Sequence, residues 1–151
     1  MTGRMAIVNV VIERPREQVW DVLSDGYAFR EWVVGTQKIR DVDAHWPELG
    51  AGIHYSFGWG PLTVEGQTVV RQMEPGKRLG LEADAGPLGT ARILIQLDDW
   101  GGDTVVILDE HPLRGPSYLL HNTVTDALLL LRGRPMVQKL AKLVERRHPQ
   151  P

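Results

Sequence analysis

The chain has 151 residues, the size of one domain and enough to bury about 70% of its unfolded surface in a single core. Its 42% hydrophobic and 24% charged residues are globular values and exclude disorder, collagen-like repeats and coiled coil. A net charge of -2 argues against nucleic acid, and the lack of cysteine removes disulfides, thiolate metal sites and a thiol nucleophile.

Met5 to Glu13 is β-branched and apolar and predicts a first strand, stopped at Arg14-Pro15. Pro15 suits the first position of a helix carrying Val19, Trp20 and Leu23 on one face, ended by Ser24-Asp25-Gly26. A second helical turn spans Tyr27 to Val33, with Phe29, Trp32 and Val33 inward. From Gly35 the pattern becomes strand-like, and 16 glycines and 10 prolines supply the turns. Strands are predicted at Thr36–Ala44, Gly52–Gly58, Leu62–Met73, Arg78–Ala83, Ala91–Asp98 and Thr104–His111, in an antiparallel meander.

After Gly115-Pro116 helical spacing takes over. Ser117 is the expected N-cap, and Leu120, Val124, Ala127 or Leu128, Leu131, Val137, Leu140 and Val144 form the apolar stripe. Pro135 lacks a backbone donor and crowds the preceding turn, which predicts a kink or break around Gly133-Arg134-Pro135. The apolar start of the chain lacks the length of a signal-peptide core, and no apolar run approaches the roughly 18 residues of a membrane span. The expectation is a cytoplasmic, single-domain protein with a core at about residues 5–146. Its exposed strand edges allow a homodimer.

Seven strands at a spacing of about 4.8 Å make a sheet about 30 Å wide, whereas one helix covers about 10–12 Å. The sheet must therefore curl around the helix, with the short helices plugging an end or edge. Any space left between concave sheet and helix is a ligand pocket.

The order strand, two short helices, six strands, long helix resembles the START-like helix-grip fold. Trp32-Val33-Val34-Gly35, Ile39-Arg40-x-Val42-Asp43-x-x-Trp46-Pro47-x-x-Gly50, His54, Pro61, Glu110, Gly115-Pro116 and Leu140-Ala141 resemble its bacterial polyketide cyclase/dehydrase-like branch, the SRPBCC family. The resemblance implies an α+β helix-grip domain with an internal pocket. That superfamily includes aromatic polyketide cyclases, lipid carriers, hormone receptors and co-chaperone domains, so the fold alone gives function only by analogy.

Strand alternation then selects site residues. With Val106 and Leu108 inward, Glu110 faces the pocket wall as an acid–base group, whereas the opposite phase buries Val105 and Ile107; the structural alternatives for Glu110 are an ion pair with an arginine such as Arg92 or Arg71, or a strand-end place in solvent. Ile53, Tyr55 and Phe57 share one face. Tyr55 either offers its hydroxyl to a ligand or packs in the core with that hydroxyl satisfied locally, while His54 faces out. His121 shares a helix face with Thr125, Val124 and Leu128, as a proton donor or acceptor or as a lining of the first turn. Trp32, Trp59 and Tyr118 lie near loops or helix starts, at an entrance or in the core. Glu110, His121 and Tyr55 are thus the candidate catalytic residues, and Trp32, Tyr55, Phe57, Trp59, Tyr118, Val124 and Leu128 the candidate ligand contacts.

No cofactor or metal is expected. The five histidines have no HExxH spacing. Gly58-Trp59-Gly60 lacks a third glycine, Gly76-Lys77 lacks a phosphate loop, and no Gly-x-Ser-x-Gly is present. The resulting functional expectation is binding of a hydrophobic or aromatic small molecule. The alternatives are a cyclase or dehydratase using acid–base residues in the same pocket, and a protein-interaction module with a filled core.

Overall fold

The computed structural model describes residues 6–114 and 123–150. In chain order the elements are β1 (Ala6–Ile12), α1 (Arg16–Leu23), a 3-10 turn (Gly26–Ala28), α2 (Phe29–Trp32), β2 (Thr36–Val42), β3 (Gly52–Trp59), β4 (Leu62–Glu74), β5 (Arg78–Asp84), a 3-10 turn (Gly86–Leu88), β6 (Thr90–Trp100), β7 (Asp103–Arg114) and α3 (Thr123–Arg147). The strands form one antiparallel sheet in the order β1-β7-β6-β5-β4-β3-β2. β2 to β7 are a continuous meander, and β1 adds to its far side.

Turn chemistry sets the hairpins. Between β6 and β7, Gly101 and Gly102 both take positive φ, 65° and 94°, which lets a two-residue turn follow the twist of its strands. Asp99 Oδ1 accepts from the amide of Gly102 at 3.1 Å.

The short helices close one end of the curled sheet. Val19, Val22 and Leu23 of α1 are buried, as are Phe29, Trp32 and Val33 at α2. Pro15 serves as the N-cap of α1 with an extended backbone, so the helix begins at Arg16, one residue later than expected. The buried indole of Trp46 donates from Nε1 to the carbonyl of Leu23 at 3.1 Å, tying the β2–β3 loop to the end of α1. Thr104 Oγ1 donates to the carbonyl of Arg14 at 2.7 Å and secures the same end of β7.

From Gly133 onward α3 runs in the direction of β1. A Cβ on Gly133 would stand 3.2 Å from Val8 Cγ2, and fifteen residues later the carbonyl of His148 accepts from Arg14 Nε at 2.5 Å. Arg147 binds Asp25 at 2.8 Å and Glu31 at 3.4 Å, and His148 Nε2 lies 3.1 Å from Asp21. The helix end is thereby fixed to the α1–α2 segment, with its basic residues at the negative end of the helix dipole.

Of the kink or break expected at Pro135, the break does not occur: α3 is one helical element from Thr123 to Arg147 with Pro135 inside it. A proline in a helix interior costs about 3 kcal/mol. Met136, Val137, Leu140, Leu143 and Val144 beyond it are all buried, each side chain contributing roughly 1.5–3 kcal/mol. Packing of the apolar stripe therefore outweighs the local penalty.

The two sheet edges differ. β2 exposes Lys38, Arg40 and Asp41 and has two register irregularities against β3, devices that discourage strand addition. β1 has no charged residue but is packed by α3.

Candidate functional site

Alternation gives each central strand a buried inward set. On β3 these are Ile53 and Tyr55; on β4 Thr68 and Val70; on β5 Leu79 and Leu81; on β6 Ile93, Ile95 and Leu97; and on β7 Val106, Leu108 and Glu110. Glu110 is 1% exposed, paired across the sheet with Ile93 and Ala6. Arg71 lies beside Glu82 at 3.6 Å on the opposite face, and Arg92 follows the same outward phase as His111, its cross-strand partner. The sheet thus separates both arginines from the Glu110 side chain.

Tyr55 is 3% exposed, and its hydroxyl lies 2.6 Å from Thr68 Oγ1, either oxygen serving as donor. Its ring stacks on Phe29 with centroids 5.8 Å apart and planes at 28°. Gly66, its cross-strand partner, has no room for a side chain: a Cβ there would stand 2.8 Å from Tyr55 Cε1. Three neighbours on two elements hold the ring and direct the hydroxyl.

Burial changes along the strands. Two residues past Tyr55, Thr68, Leu81 and Ile93 toward the Phe57 end of the sheet stand Phe57, Gly66, Ala83 and Ala91, and all four are only half-buried. Three of these four are glycine or alanine. Ala83 pairs with Thr68 on one side and Ala91 on the other, giving a row of small residues across β4, β5 and β6. The concave face is therefore packed shut at the α1–α2 end and lined by small, partly accessible residues at the other.

The remaining candidates separate. Phe57 lies on the half-buried margin, where its ring covers Gly35. Trp32 is core, 3% exposed and edge-on to Phe29 at 5.6 Å, and so does not border an opening. His54 faces outward and is exposed. Trp59 ends β3, and Val124 and Leu128 belong to α3, but their side chains lie outside the described residues, as do His121 and Tyr118 entirely. Thr68, Gly66, Ala83 and Ala91 were not selected from sequence; extending the alternation of Ile53 and Tyr55 across the neighbouring strands would have placed them on the inner face. Among the described residues no group of three or more histidine or acidic side chains is arranged to hold a metal ion, and no helix is long and apolar enough to cross a membrane.

A family model described as activator of Hsp90 ATPase homolog 1-like protein matches residues 13–123. The chain belongs to this family. The activator of Hsp90 ATPase homolog 1-like family falls within the START-like, SRPBCC superfamily, and the curved seven-stranded sheet with its long C-terminal helix is the helix-grip fold. Among solved structures the chain is similar to DynU16, from the dynemicin biosynthetic locus, at 21% identity and a TM-score of 0.70; the match covers 96% of this chain but 48% of that one, so the chain spans about half the length of DynU16. Protein CV1439 of Chromobacterium violaceum is 16% identical with a TM-score of 0.67, over 94% of this chain and 98% of that one. CalU16 of Micromonospora echinospora is 12% identical with a TM-score of 0.66, over 96% and 78%. At these identities the likeness concerns the fold. No curated protein matches this family member.

Proposed function

We propose that this family member binds a hydrophobic or aromatic small molecule on the concave face of its sheet, entering at the end marked by Phe57, Gly66, Ala83 and Ala91. The carrying observation is the change from fully buried Tyr55, Thr68, Leu81 and Ile93 to half-buried small residues two positions further along the same strands. Gly66 is explained by the Tyr55 ring, but no described side chain fills the space over the paired Ala83 and Ala91; a site that receives a ligand accounts for them, since small side chains leave volume and apolar walls. The Tyr55–Thr68 hydroxyl pair supplies an orienting polar group beside this row.

Titration with the neutral fluorophore N-phenyl-1-naphthylamine tests this reading, together with native mass spectrometry for a co-purified ligand. Saturable binding that Ala83→Leu or Ala91→Leu weakens by about tenfold or more supports it. Absence of saturable binding overturns it and leaves the interaction module, the reading nearest to the Hsp90 activator in the family description.

The second reading, a cyclase or dehydratase, is favoured by one observation: Glu110 is an ionisable carboxylate on the inner face. There it would take a proton from the carbon next to a substrate carbonyl, and return one to the oxygen that leaves as water. Glu110→Gln separates the two readings, because it should abolish turnover while sparing fluorophore affinity.

A further inference from the structure

The convex face of the sheet has a depression of its own. Gly80 of β5 pairs with Gln72 of β4 on one side and Leu94 of β6 on the other. With no side chain in the middle of this row, a hollow of about 310 Å³ opens over Gly80, walled by Arg71, Gln72, Glu82, Arg92 and Leu94. A Cβ on Gly80 would stand 2.9 Å from Gln72 Cβ, so glycine both makes the hollow and lets Gln72 lie against it.

The charges that line the hollow are unevenly paired. Arg71 has Glu82 at 3.6 Å as its counter-charge. Arg92 is exposed and, among the described residues, has neither a hydrogen-bond acceptor nor an ion-pair partner. Asp109, the cross-strand partner of Leu94, stands on the same face one strand beyond the hollow, so among the groups that line it Arg92 is the guanidinium without a counter-charge. Leu94, half-buried, provides an apolar wall beside it.

We propose that this hollow is a second binding site, for a small monocarboxylate on an apolar stem. Arg92 takes the carboxylate through its planar pair of N–H donors, a geometry that a single guanidinium fits to two oxygens at once. The stem lies over the Gly80 backbone against Leu94. The sheet separates this site from the concave face, so occupation of one does not require the other.

The test is a titration of the protein with hexanoate followed in amide correlation spectra, with hexanol and inorganic phosphate as comparison probes. Saturable shifts centred on Gly80, Leu81 and Leu94, present with hexanoate and absent or far weaker with the other two, support the site. Arg92→Gln should weaken hexanoate about tenfold, the equivalent of one charge-assisted hydrogen bond. Glu82→Gln should tighten it, by releasing Arg71 to act as a second donor. Both replacements are on the outer face and leave the core untouched. Shifts confined to Tyr55, Ala83 and Ala91, equal response to hexanol, or indifference to both substitutions would each overturn the proposal.

Discussion

The hydroxyl of Tyr55 and that of Thr68 stand 2.6 Å apart on neighbouring strands, both buried and both on the concave face. Removing either hydroxyl breaks this hydrogen bond between neighbouring strands. Tyr55→Phe and Thr68→Val should each cost about 1–2 kcal/mol in denaturant unfolding. The double variant should cost less than the sum, with a coupling of about 1 kcal/mol, and strict additivity would show that the pair does not act together.

Gly66 is the residue against which the Tyr55 ring is set. Gly66→Ala places a methyl group 2.8 Å from Tyr55 Cε1, and we expect a loss of about 1–3 kcal/mol despite the better strand propensity of alanine. Tyr55→Leu in the same chain should recover part of it. A Gly66→Ala protein as stable as the parent would mean that the ring moves aside at no cost.

Pro135 offers a gain. Because helical backbone continues on both sides of it, Pro135→Ala restores a donor without asking the chain to change conformation. The expected stabilisation is about 1–3 kcal/mol, seen as a higher midpoint in thermal unfolding. An unchanged or lower midpoint would assign the proline ring a packing role that exceeds its backbone penalty.

Arg147 touches Asp25 and Glu31 but is one-third exposed, so solvent screens both pairs. Arg147→Ala should cost less than about 1 kcal/mol, and the difference from the parent should shrink as salt is raised. A larger, salt-independent loss would point to the packing of its aliphatic stem.

Much of the fold can be read from the sequence because two independent signals coincide there. Apolar alternation in segments such as Ile93-Leu94-Ile95-Gln96-Leu97 gives a period of two, and dipeptides such as Gly101-Gly102 punctuate it with backbone conformations that few other residues accept. Spacing groups Glu110 with Val106 and Leu108 but leaves the phase open against Val105 and Ile107; burial of the first set decides it. Pro135 leaves a kink and a break both open in sequence, because a local rule cannot show that long-range burial of Met136, Val137 and Leu140 carries the helix through it. Trp32 is ambiguous for a related reason: proximity to a loop does not reveal that Phe29 occupies the space beside it. The row of small residues is invisible in any single strand. It exists only once the registers of β4, β5 and β6 bring Thr68, Ala83 and Ala91 side by side.

That row has a consequence for how this scaffold can change. Ala83 and Ala91 are half-buried and stand just past the last fully buried residues of their strands, Leu81 and Ile93. Substitutions at the two alanines should alter the shape of the recess while leaving the main stabilising contacts in place. A library confined to positions 66, 83 and 91 would therefore sample new selectivities at little risk to folding, with position 66 the exception wherever Tyr55 is retained.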